Sequence, residues 1–186
     1  AGAGLTGRSL HGSNAGTIAL MPKPCYRGPA AVRRSRFRFI LSPMNECVLC
    51  TKPADGIVWE DEACRVVRVE GEDGRDFPGF CRVVWRGHVA EMSDLTPAER
   101  RHLMNAVWAC ELAVRETMQP DKINLASLGN VVPHLHWHVI PRWRSDSRFP
   151  APVWSAPARA GAVPPAPTID ALRAAFGRAL AELQAE

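Results

Sequence analysis

Three histidines occupy alternate positions within a short apolar stretch, as His134, His136 and His138. Side chains two residues apart on a β-strand project to the same face of the sheet. The spacing therefore predicts three imidazoles lining one surface, with the apolar residues between them facing the core. Polar rings crowded together cost free energy when they are buried without partners. The grouping indicates a chemical site rather than ordinary strand packing.

Two kinds of chemistry use such a row of imidazoles. Histidines at alternate strand positions can share a zinc ion that keeps an open position for water. Alternatively, one neutral imidazole attacks phosphorus and forms a covalent intermediate while its neighbours act on the leaving oxygen. An imidazole with a pKa of about 6.5 is largely neutral at pH 7 and therefore nucleophilic. The spacing alone leaves both chemistries open.

Length and composition predict one ordinary domain with extensions. The chain has 186 residues, of which 46% are hydrophobic, and its apolar runs are far shorter than the roughly 20 residues that span a bilayer. The N-terminal residues lack the sustained apolar segment of a secretory signal. We therefore expect a cytoplasmic protein without a membrane partner, whose six cysteines are reduced thiols or metal ligands.

The positive charge is concentrated at the N-terminus. Residues 1–43 contain seven basic side chains and no acidic one, so the net charge of +4 for the chain becomes −3 for the remainder. A general nucleic-acid-binding surface is not indicated for the folded part. Residues 1–43 are rich in Gly, Ala, Ser and Pro, which predicts disorder. Their composition also fits an organelle transit peptide, or upstream sequence before a start at Met44.

Alternating and helical patterns predict an α+β domain with an antiparallel sheet. A Gly/Asp-rich loop is expected at 71–79. Thr96, Pro97 and Glu99 are typical of the capped start of a helix, and Pro120 ends it. Pro141, which lacks an N–H, is expected to end the histidine strand. The predicted strands are Gly56–Trp59, Cys64–Val69, Phe80–Trp85, Ile123–Ala126 and the histidine segment.

The C-terminal part divides into two segments. Residues 145–168 contain six prolines and are expected to be extended and irregular. This segment includes Phe149 and Trp154, aromatic residues that suit a groove or a partner surface. Thr168 is expected to cap a short amphipathic helix.

The segment His134-Leu135-His136-Trp137-His138-Val139-Ile140-Pro141-Arg142 resembles the signature of the histidine triad (HIT) superfamily of nucleotide hydrolases and transferases. Pro141-Arg142 is most similar to the dinucleoside polyphosphate hydrolase branch and its bacterial relatives. The resemblance implies a HIT-like fold of five antiparallel strands with one main helix, plus here a short C-terminal helix, and a homodimer. It divides the chain into a basic extension (1–43), a HIT domain (44–150) and a Pro/Ala-rich segment with the final helix (151–186).

The same resemblance assigns roles to individual residues. His136 is implied to attack the α-phosphorus of a dinucleoside polyphosphate or a nucleoside phosphoramidate, forming a nucleotidyl-histidine that water cleaves. His138 is implied to donate to phosphate oxygens, and His134 to hold the local network. No cofactor is required for that chemistry. Substrate contacts are expected from Asn124, Gly129 and Asn130.

Two departures from the family pattern affect the substrate site. Many members carry a serine three residues before the first histidine, where this chain has Val131, and a histidine where this chain has Phe80. The first change removes a hydrogen-bond donor near the leaving group. These departures motivate a second hypothesis, a nucleotide-binding regulatory protein with little turnover.

A possible structural zinc site is the other implication. Some triad relatives use two cysteines, a histidine after the third strand and the first triad histidine as zinc ligands. The corresponding residues here are Cys47, Cys50, His88 and His134, and two thiolates with two imidazoles suit a closed tetrahedral Zn²⁺ site. Reduced cysteines packed under the sheet are the alternative. A zinc hydrolase that uses all three triad histidines is a further hypothesis.

Overall fold

A five-stranded antiparallel sheet forms the centre of the computed structural model. The structure describes Ala1, residues 47–51 and residues 56–185, so the prediction for residues 1–43 lies outside the described part except at Ala1. The strand order is β1-β2-β3-β5-β4. The strands are β1 Ile57–Glu60, β2 Cys64–Arg68, β3 Cys81–Trp85, β4 Lys122–Ala126 and β5 His136–Arg142; the helices are α1 Val48–Thr51, α2 Gly71–Asp76, α3 Pro97–Met118 and α4 Ile169–Ala185. The predicted α+β fold with one main helix and a C-terminal helix is confirmed.

Strand β5 continues past the proline that was expected to end it. Pro141 pairs with Ile123 of β4 and lies within the strand. The ladder between β5 and β3 stops at the pair Cys81–Val139. Beyond Val139 the strand therefore has a ladder neighbour on one side only, which is where a sheet tolerates the missing N–H of proline. The prediction that Pro141 terminates the strand is wrong for this reason.

Part of the predicted loop at 71–79 is the short helix α2. Gly71, with φ of +79°, makes the turn into the helix. Glu72 and Asp73 lie in the first turn, where carboxylates interact favourably with the positive end of the helix dipole. Phe77 follows the helix and is buried. Its contacts with distant residues stabilise a segment whose local composition is typical of a loop.

The long helix α3 begins at the predicted capping box. The Thr96 side chain accepts a hydrogen bond from the Glu99 backbone N–H, and the Glu99 carboxylate accepts one from the Thr96 N–H. Gln119 adopts a left-handed conformation with φ of 46° and closes the helix before Pro120. The buried side of α3 covers one face of the sheet, packing on Val66, Val83 and Val139 as part of the main core.

Helix α4 packs against α3 and β1 and extends the same core. The Ala171 backbone N–H donates to Oγ1 of Thr168, the predicted cap. Leu172 and Phe176 are buried, and the rings of Phe176 and Trp59 have centroids 5.0 Å apart. The C-terminal helix is thus joined to the sheet by apolar packing. No helix within the described residues is long and apolar enough to cross a membrane.

The opposite face of the sheet is partly covered by the proline-rich segment, which a buried ion pair holds in place. Arg142 and Asp146 are 2% and 0% exposed. Arg142 Nε and Nη2 donate to the Asp146 carboxylate at 2.8 and 3.1 Å, and Nη2 also donates to the Ala151 carbonyl at 2.9 Å. Burial alone would raise the pKa of Asp146, but the hydrogen bonds and charge of Arg142 hold that pKa below its ordinary value. The segment that carries Trp154 is thereby fixed across the sheet.

Candidate functional site

Two imidazoles of the histidine strand share one face of the sheet with residues of β3. His136 pairs with Val84, and His138 pairs with Arg82. Paired residues on neighbouring antiparallel strands project to the same side. The alternate residues of β5 project to the other side, where Val139 is buried in the core under α3. The predicted division of β5 into an imidazole face and an apolar face is confirmed for His136 and His138.

The His136 ring is held in one tautomer by its own backbone. Its Nδ1 lies 2.6 Å from the carbonyl oxygen of His134. A carbonyl oxygen only accepts, so Nδ1 carries the proton and Nε2 keeps a free lone pair. Burial lowers the pKa of His136 from its ordinary value, more than the His134 carbonyl raises it, and the charge of Arg82 lowers it further. His136 is therefore neutral at pH 7, with an unprotonated nitrogen.

The His138 ring lies among other rings. Ring centroids are 4.7 Å from His136, 5.2 Å from Trp154 and 5.6 Å from Phe80. Its Nδ1 is buried and has no hydrogen-bond partner among the described residues. Burial, and then the charges of His136 and Arg82, lower the pKa of His138 to about 3. This imidazole is therefore a neutral hydrogen-bonding group at pH 7.

Both rings line a cavity of about 390 Å³, a volume in the range of small-molecule sites. The Gly129 loop, where φ is +68°, forms one wall, and Val131 at its rim is 93% exposed. The structure thus brings Gly129 and Asn130 together with His136 and His138, as the sequence predicted. The lining residues are Val48, Leu49, Arg82, Leu128, Gly129, Asn130, Val131, Val132, His136, His138 and Trp154.

Asn124 is not among these lining residues. Its Oδ1 accepts a hydrogen bond from Arg142 Nη1 at 3.0 Å, and it lines a separate cavity of about 640 Å³ to which none of the triad histidines contributes. In the sheet register, Asn124 pairs with Ile140, which lies two residues after His138 on β5. Asn124 therefore lies on the same face of the sheet as His138 but lines a neighbouring cavity, and Trp154 contributes to both linings.

His134 does not join the other two imidazoles. Strand β5 begins at His136, and the preceding backbone turns, with the His134 N–H donating to the Val132 carbonyl at 2.8 Å. The buried His134 ring approaches His88, with centroids 5.2 Å apart. The expected row of three imidazoles is thus corrected to a pair because the strand does not extend back to His134. The three rings do not converge on one point, as a zinc hydrolase using all of them would require.

His134 instead belongs to a cluster with Cys47, Cys50 and His88. Its Nδ1 is 3.4 Å from both sulfur atoms, and the Cys50 sulfur is 3.3 Å from Nδ1 of His88. All four ligand atoms lie within 4.8 Å of one another. In a tetrahedral zinc site, Zn–S and Zn–N bonds of about 2.3 and 2.05 Å place sulfur and nitrogen about 3.5 Å apart. The spacing in the cluster fits that geometry.

The hydrogen bond on the other side of the His134 ring also fits a metal ligand. Nε2 lies 2.6 Å from the Trp85 carbonyl oxygen, so Nε2 carries the proton and Nδ1 presents its lone pair to the sulfur atoms. Metal-binding histidines commonly donate their second ring N–H to a carbonyl in this way. Burial is the main cause that lowers the pKa of His134 and keeps the ring neutral.

Sequence reasoning did not single out Arg82 as a site residue. Arg82 is the one charged residue of the otherwise apolar strand β3. Because side chains alternate along a strand, Arg82 and Val83 project to opposite faces of the sheet, and this could be read from the sequence. Its position beside His138 could not, because that depends on the pairing of β3 with β5. For Trp154, the sequence indicated only a groove or a partner surface and did not indicate contact with His138.

Comparisons with known proteins agree with the fold and the motif. Residues 54–145 match the model of the family described as HIT domain. An AP-4-A phosphorylase of Mycobacterium tuberculosis is 32% identical over 78 residues, which cover 39% of this chain and 40% of that protein. A bis(5'-nucleosyl)-tetraphosphatase (asymmetrical) of Schizosaccharomyces pombe is 30% identical over 74 residues, covering 37% and 41%. The chain thus spans about two fifths of the length of these curated relatives.

Solved structures of histidine triad proteins are similar over most of their length. One from Bradyrhizobium japonicum has a TM-score of 0.53 and 26% identity, covering 67% of this chain and 89% of that one. Another, from Marinobacter aquaeolei VT8, has a TM-score of 0.51 and 29% identity, covering 68% and 89%. The architecture around the histidine pair is thus shared with experimentally determined proteins.

The burial of His138 predicts that its ring stays neutral in mildly acidic solution. An NMR titration of the ring C–H signals from pH 7.5 to 4.5 should show no protonation of His138, since burial lowers its pKa to about 3. The unfolded chain, with a pKa of about 6.5, binds a proton there that the folded chain does not. This ring therefore destabilises the fold as the pH falls from about 6.5 towards 3. A His138→Gln variant assigns the signal, and a titration midpoint near 6.5 would contradict the burial argument.

Proposed function

We propose that this chain, which belongs to the histidine triad family through residues 54–145, cleaves nucleotides by transferring a nucleotidyl group to His136. The substrate class is a dinucleoside polyphosphate or a nucleoside phosphoramidate, attacked at the α-phosphorus. The observation that carries the proposal is the state of His136. Its Nδ1–H is bound to the His134 carbonyl, which leaves Nε2 neutral and unprotonated on a ring that lines the cavity.

The reaction proceeds in two steps. The Nε2 lone pair attacks the α-phosphorus as the bond from phosphorus to the leaving group breaks, and the leaving group takes that electron pair. Water then attacks the phosphorus of the nucleotidyl-histidine, the P–N bond breaks with its electron pair returning to Nε2, and a proton of the water passes to solvent; this releases a nucleoside monophosphate and restores His136. The Nδ1–H bond to the His134 carbonyl stabilises the positive charge that the ring acquires as it bonds to phosphorus. No cofactor takes part in either step.

Other cavity residues stabilise the transferred phosphoryl group. Neutral His138 lines the cavity and offers a ring N–H to a phosphate oxygen. Gly129 and Asn130 line the same cavity, and we assign their backbone N–H groups to the negative charge that develops there. These neutral donors act beside two buried imidazoles, where hydrogen bonds to charge are strong.

The names of two relatives support the substrate class. One similar protein is called an AP-4-A phosphorylase and another a bis(5'-nucleosyl)-tetraphosphatase. A phosphorylase transfers to phosphate where a hydrolase transfers to water. The second step of the reaction proposed here is compatible with either acceptor, so the products should be analysed with and without inorganic phosphate.

Replacement of the nucleophile tests the mechanism. The protein should cleave diadenosine tetraphosphate, and His136→Ala should lower kcat by about a thousandfold or more, as loss of a catalytic nucleophile does. A substrate labelled at the α-phosphate, quenched in base, should leave label on His136. The control is His102→Ala, which removes an exposed histidine that pairs with Asp61 and should retain turnover.

Two outcomes would contradict the mechanism. Full turnover by His136→Ala would show that another group attacks phosphorus. Tight nucleotide binding with negligible hydrolysis by the unmodified protein would favour the regulatory alternative, which the exposed Val131 at the cavity rim supports by offering no side-chain donor to a leaving group.

We also propose that Cys47, Cys50, His88 and His134 hold a structural Zn²⁺. The sulfur-to-nitrogen spacing of 3.3 to 3.4 Å and the fixed tautomer of His134 support this assignment. The ion would neutralise two thiolates and connect α1, which contains Cys50 and directly follows Cys47, to the segment before β5. Val48 and Leu49 of α1 line the cavity, so the zinc would order one wall of the substrate site.

Metal analysis tests the zinc proposal. Protein purified without chelator should contain one zinc per chain, and Cys50→Ser should lose it. The Tm of Cys50→Ser should fall by several degrees, since each kcal/mol lost shifts the Tm of a chain this size by about 2–4 °C. His102→Ala should keep the metal, because His102 lies in a separate cluster with Asp61 and Cys64. Absence of zinc from the unmodified protein, or full zinc content in Cys50→Ser, would contradict the site.

We further propose that the protein is a homodimer through α3 and β4. Strand β4 lies at the edge of the sheet, and an unpaired edge favours association. Leu125 on β4 is 40% exposed and Trp108 on α3 is 53% exposed. A second copy of the chain would cover both side chains.

Sedimentation velocity tests the dimer. The protein should sediment at twice the chain mass of 20.4 kDa, and Trp108→Glu should shift it to the monomer because a buried charge without a partner opposes association. Gln184→Glu, at an exposed position of α4, adds the same single negative charge and should remain dimeric. A monomeric unmodified protein at micromolar concentration would rule out this interface.

A further inference from the structure

Arg82 is the single charged side chain among the described residues that line the cavity. It projects from β3 directly beside His138. Its charge lowers the pKa of both His136 and His138, so its guanidinium lies within electrostatic reach of the two rings. With the imidazoles neutral, Arg82 gives the cavity its net positive charge.

The guanidinium is only partly compensated by the protein. Its Nε is buried and has no hydrogen-bond partner among the residues that the structure describes. Asp73 lies 3.9 Å from Nη2, which is beyond hydrogen-bonding distance, and that carboxylate is 45% exposed. The Phe80 ring, 5.7 Å from the guanidinium carbon, contributes a further weak contact. Burial lowers the pKa of Arg82, although an arginine stays charged in proteins.

We infer that Arg82 is a specificity-determining residue that binds the anionic leaving group and makes the site selective for polyphosphates over phosphoramidates. The inference rests on the proposed nucleotidyl transfer to His136. An oxyanion placed in the cavity would bind the part of the guanidinium that stays accessible, since the Arg82 side chain is 32% exposed, and guanidinium groups bind phosphate through paired N–H donors. A neutral amine leaving group offers no such partner.

The two leaving groups differ in the proton that they need. When a P–O bond of a polyphosphate breaks, its electron pair stays on the bridging oxygen, and a positive charge nearby stabilises the departing anion. When a P–N bond breaks, the nitrogen takes the electron pair and must also gain a proton to leave as an amine. His138 supplies little of that proton at pH 7 because its pKa is about 3. The chain thus provides charge for an anion but not acid for an amine.

A substitution series measures this preference. Diadenosine tetraphosphate and adenosine 5'-phosphoramidate share the transferred nucleotidyl group, so the ratio of their kcat/KM values isolates the leaving group. Arg82→Leu should lower kcat/KM for the tetraphosphate by about 10- to 100-fold, the loss that removal of a hydrogen bond to charge produces. Its kcat/KM for the phosphoramidate should change by less than about threefold. Arg82→Lys keeps the charge but loses the paired donors. Its kcat/KM for the tetraphosphate should lie between those of Arg82→Leu and the unmodified protein.

Two variants separate substrate binding from a structural role. Asp73→Asn removes the nearby carboxylate and should keep the preference for the tetraphosphate, because that contact is weak. Arg178→Leu removes an equal charge on α4, where Arg178 pairs with Glu116 of α3, and should leave both kcat/KM values unchanged. Equal losses on both substrates in Arg82→Leu would overturn the inference, and so would loss of the preference in Asp73→Asn.

A binding measurement keeps the inference testable if the enzyme proposal fails. Isothermal titration with adenosine tetraphosphate and with adenosine monophosphate needs no turnover, and it can use the His136→Ala protein. In that protein, adding Arg82→Leu should weaken binding of the tetraphosphate by at least about tenfold and that of the monophosphate by less. If the unmodified protein cleaves neither substrate, the proposed function fails, and this difference alone decides the role of Arg82. Equal weakening for both ligands would overturn it.

Discussion

The position of β5 between β3 and β4 is the constraint on which the site depends. The hydrogen bonds to β3 and those to β4 both fix which residue of β5 lies beside each neighbour. A slip of one residue would turn every side chain of β5 to the other face. Such a slip would move Val139 out of the core under α3 and bury His136 and His138 in apolar surroundings. The burial of Val139 thus keeps the two imidazoles in the cavity. Hydrophobic packing on one face of the sheet stabilises the chemical arrangement on the other.

His134 connects the cysteine cluster to the histidine pair. Its carbonyl fixes the tautomer of His136, its Nε2 donates to the Trp85 carbonyl, and its Nδ1 faces the two sulfur atoms. One residue therefore holds the end of β3, the cluster and the start of β5 in a common arrangement. The first histidine of the triad acts through backbone and ring hydrogen bonds rather than through contact with the cavity.

The local features of the fold could be predicted from the sequence, and the features that depend on distant contacts could not. Alternation along the histidine strand and the capping box at Thr96 arise within a few residues, and both are confirmed. Helix α2 forms although its local composition is typical of a loop, because the burial of Phe77 stabilises the segment. The hydrogen bond of the His134 ring to the Trp85 carbonyl and that of Arg142 to Asn124 join residues far apart in the sequence. A single sequence shows neither.

Two arginines on the same face of the sheet differ in how many hydrogen-bond partners the protein gives them. This difference distinguishes a structural role for one from a functional role for the other. Arg142 is buried, and its donors are bound by Asp146, Asn124 and the Ala151 carbonyl. Those four hydrogen bonds compensate the free energy of burying the charge and hold the proline-rich segment in place. Arg82 is only half-buried, yet its Nε has no partner among the described residues. Since removing a guanidinium from water without partners is unfavourable, the fold keeps Arg82 in a state that an anion in the cavity would stabilise.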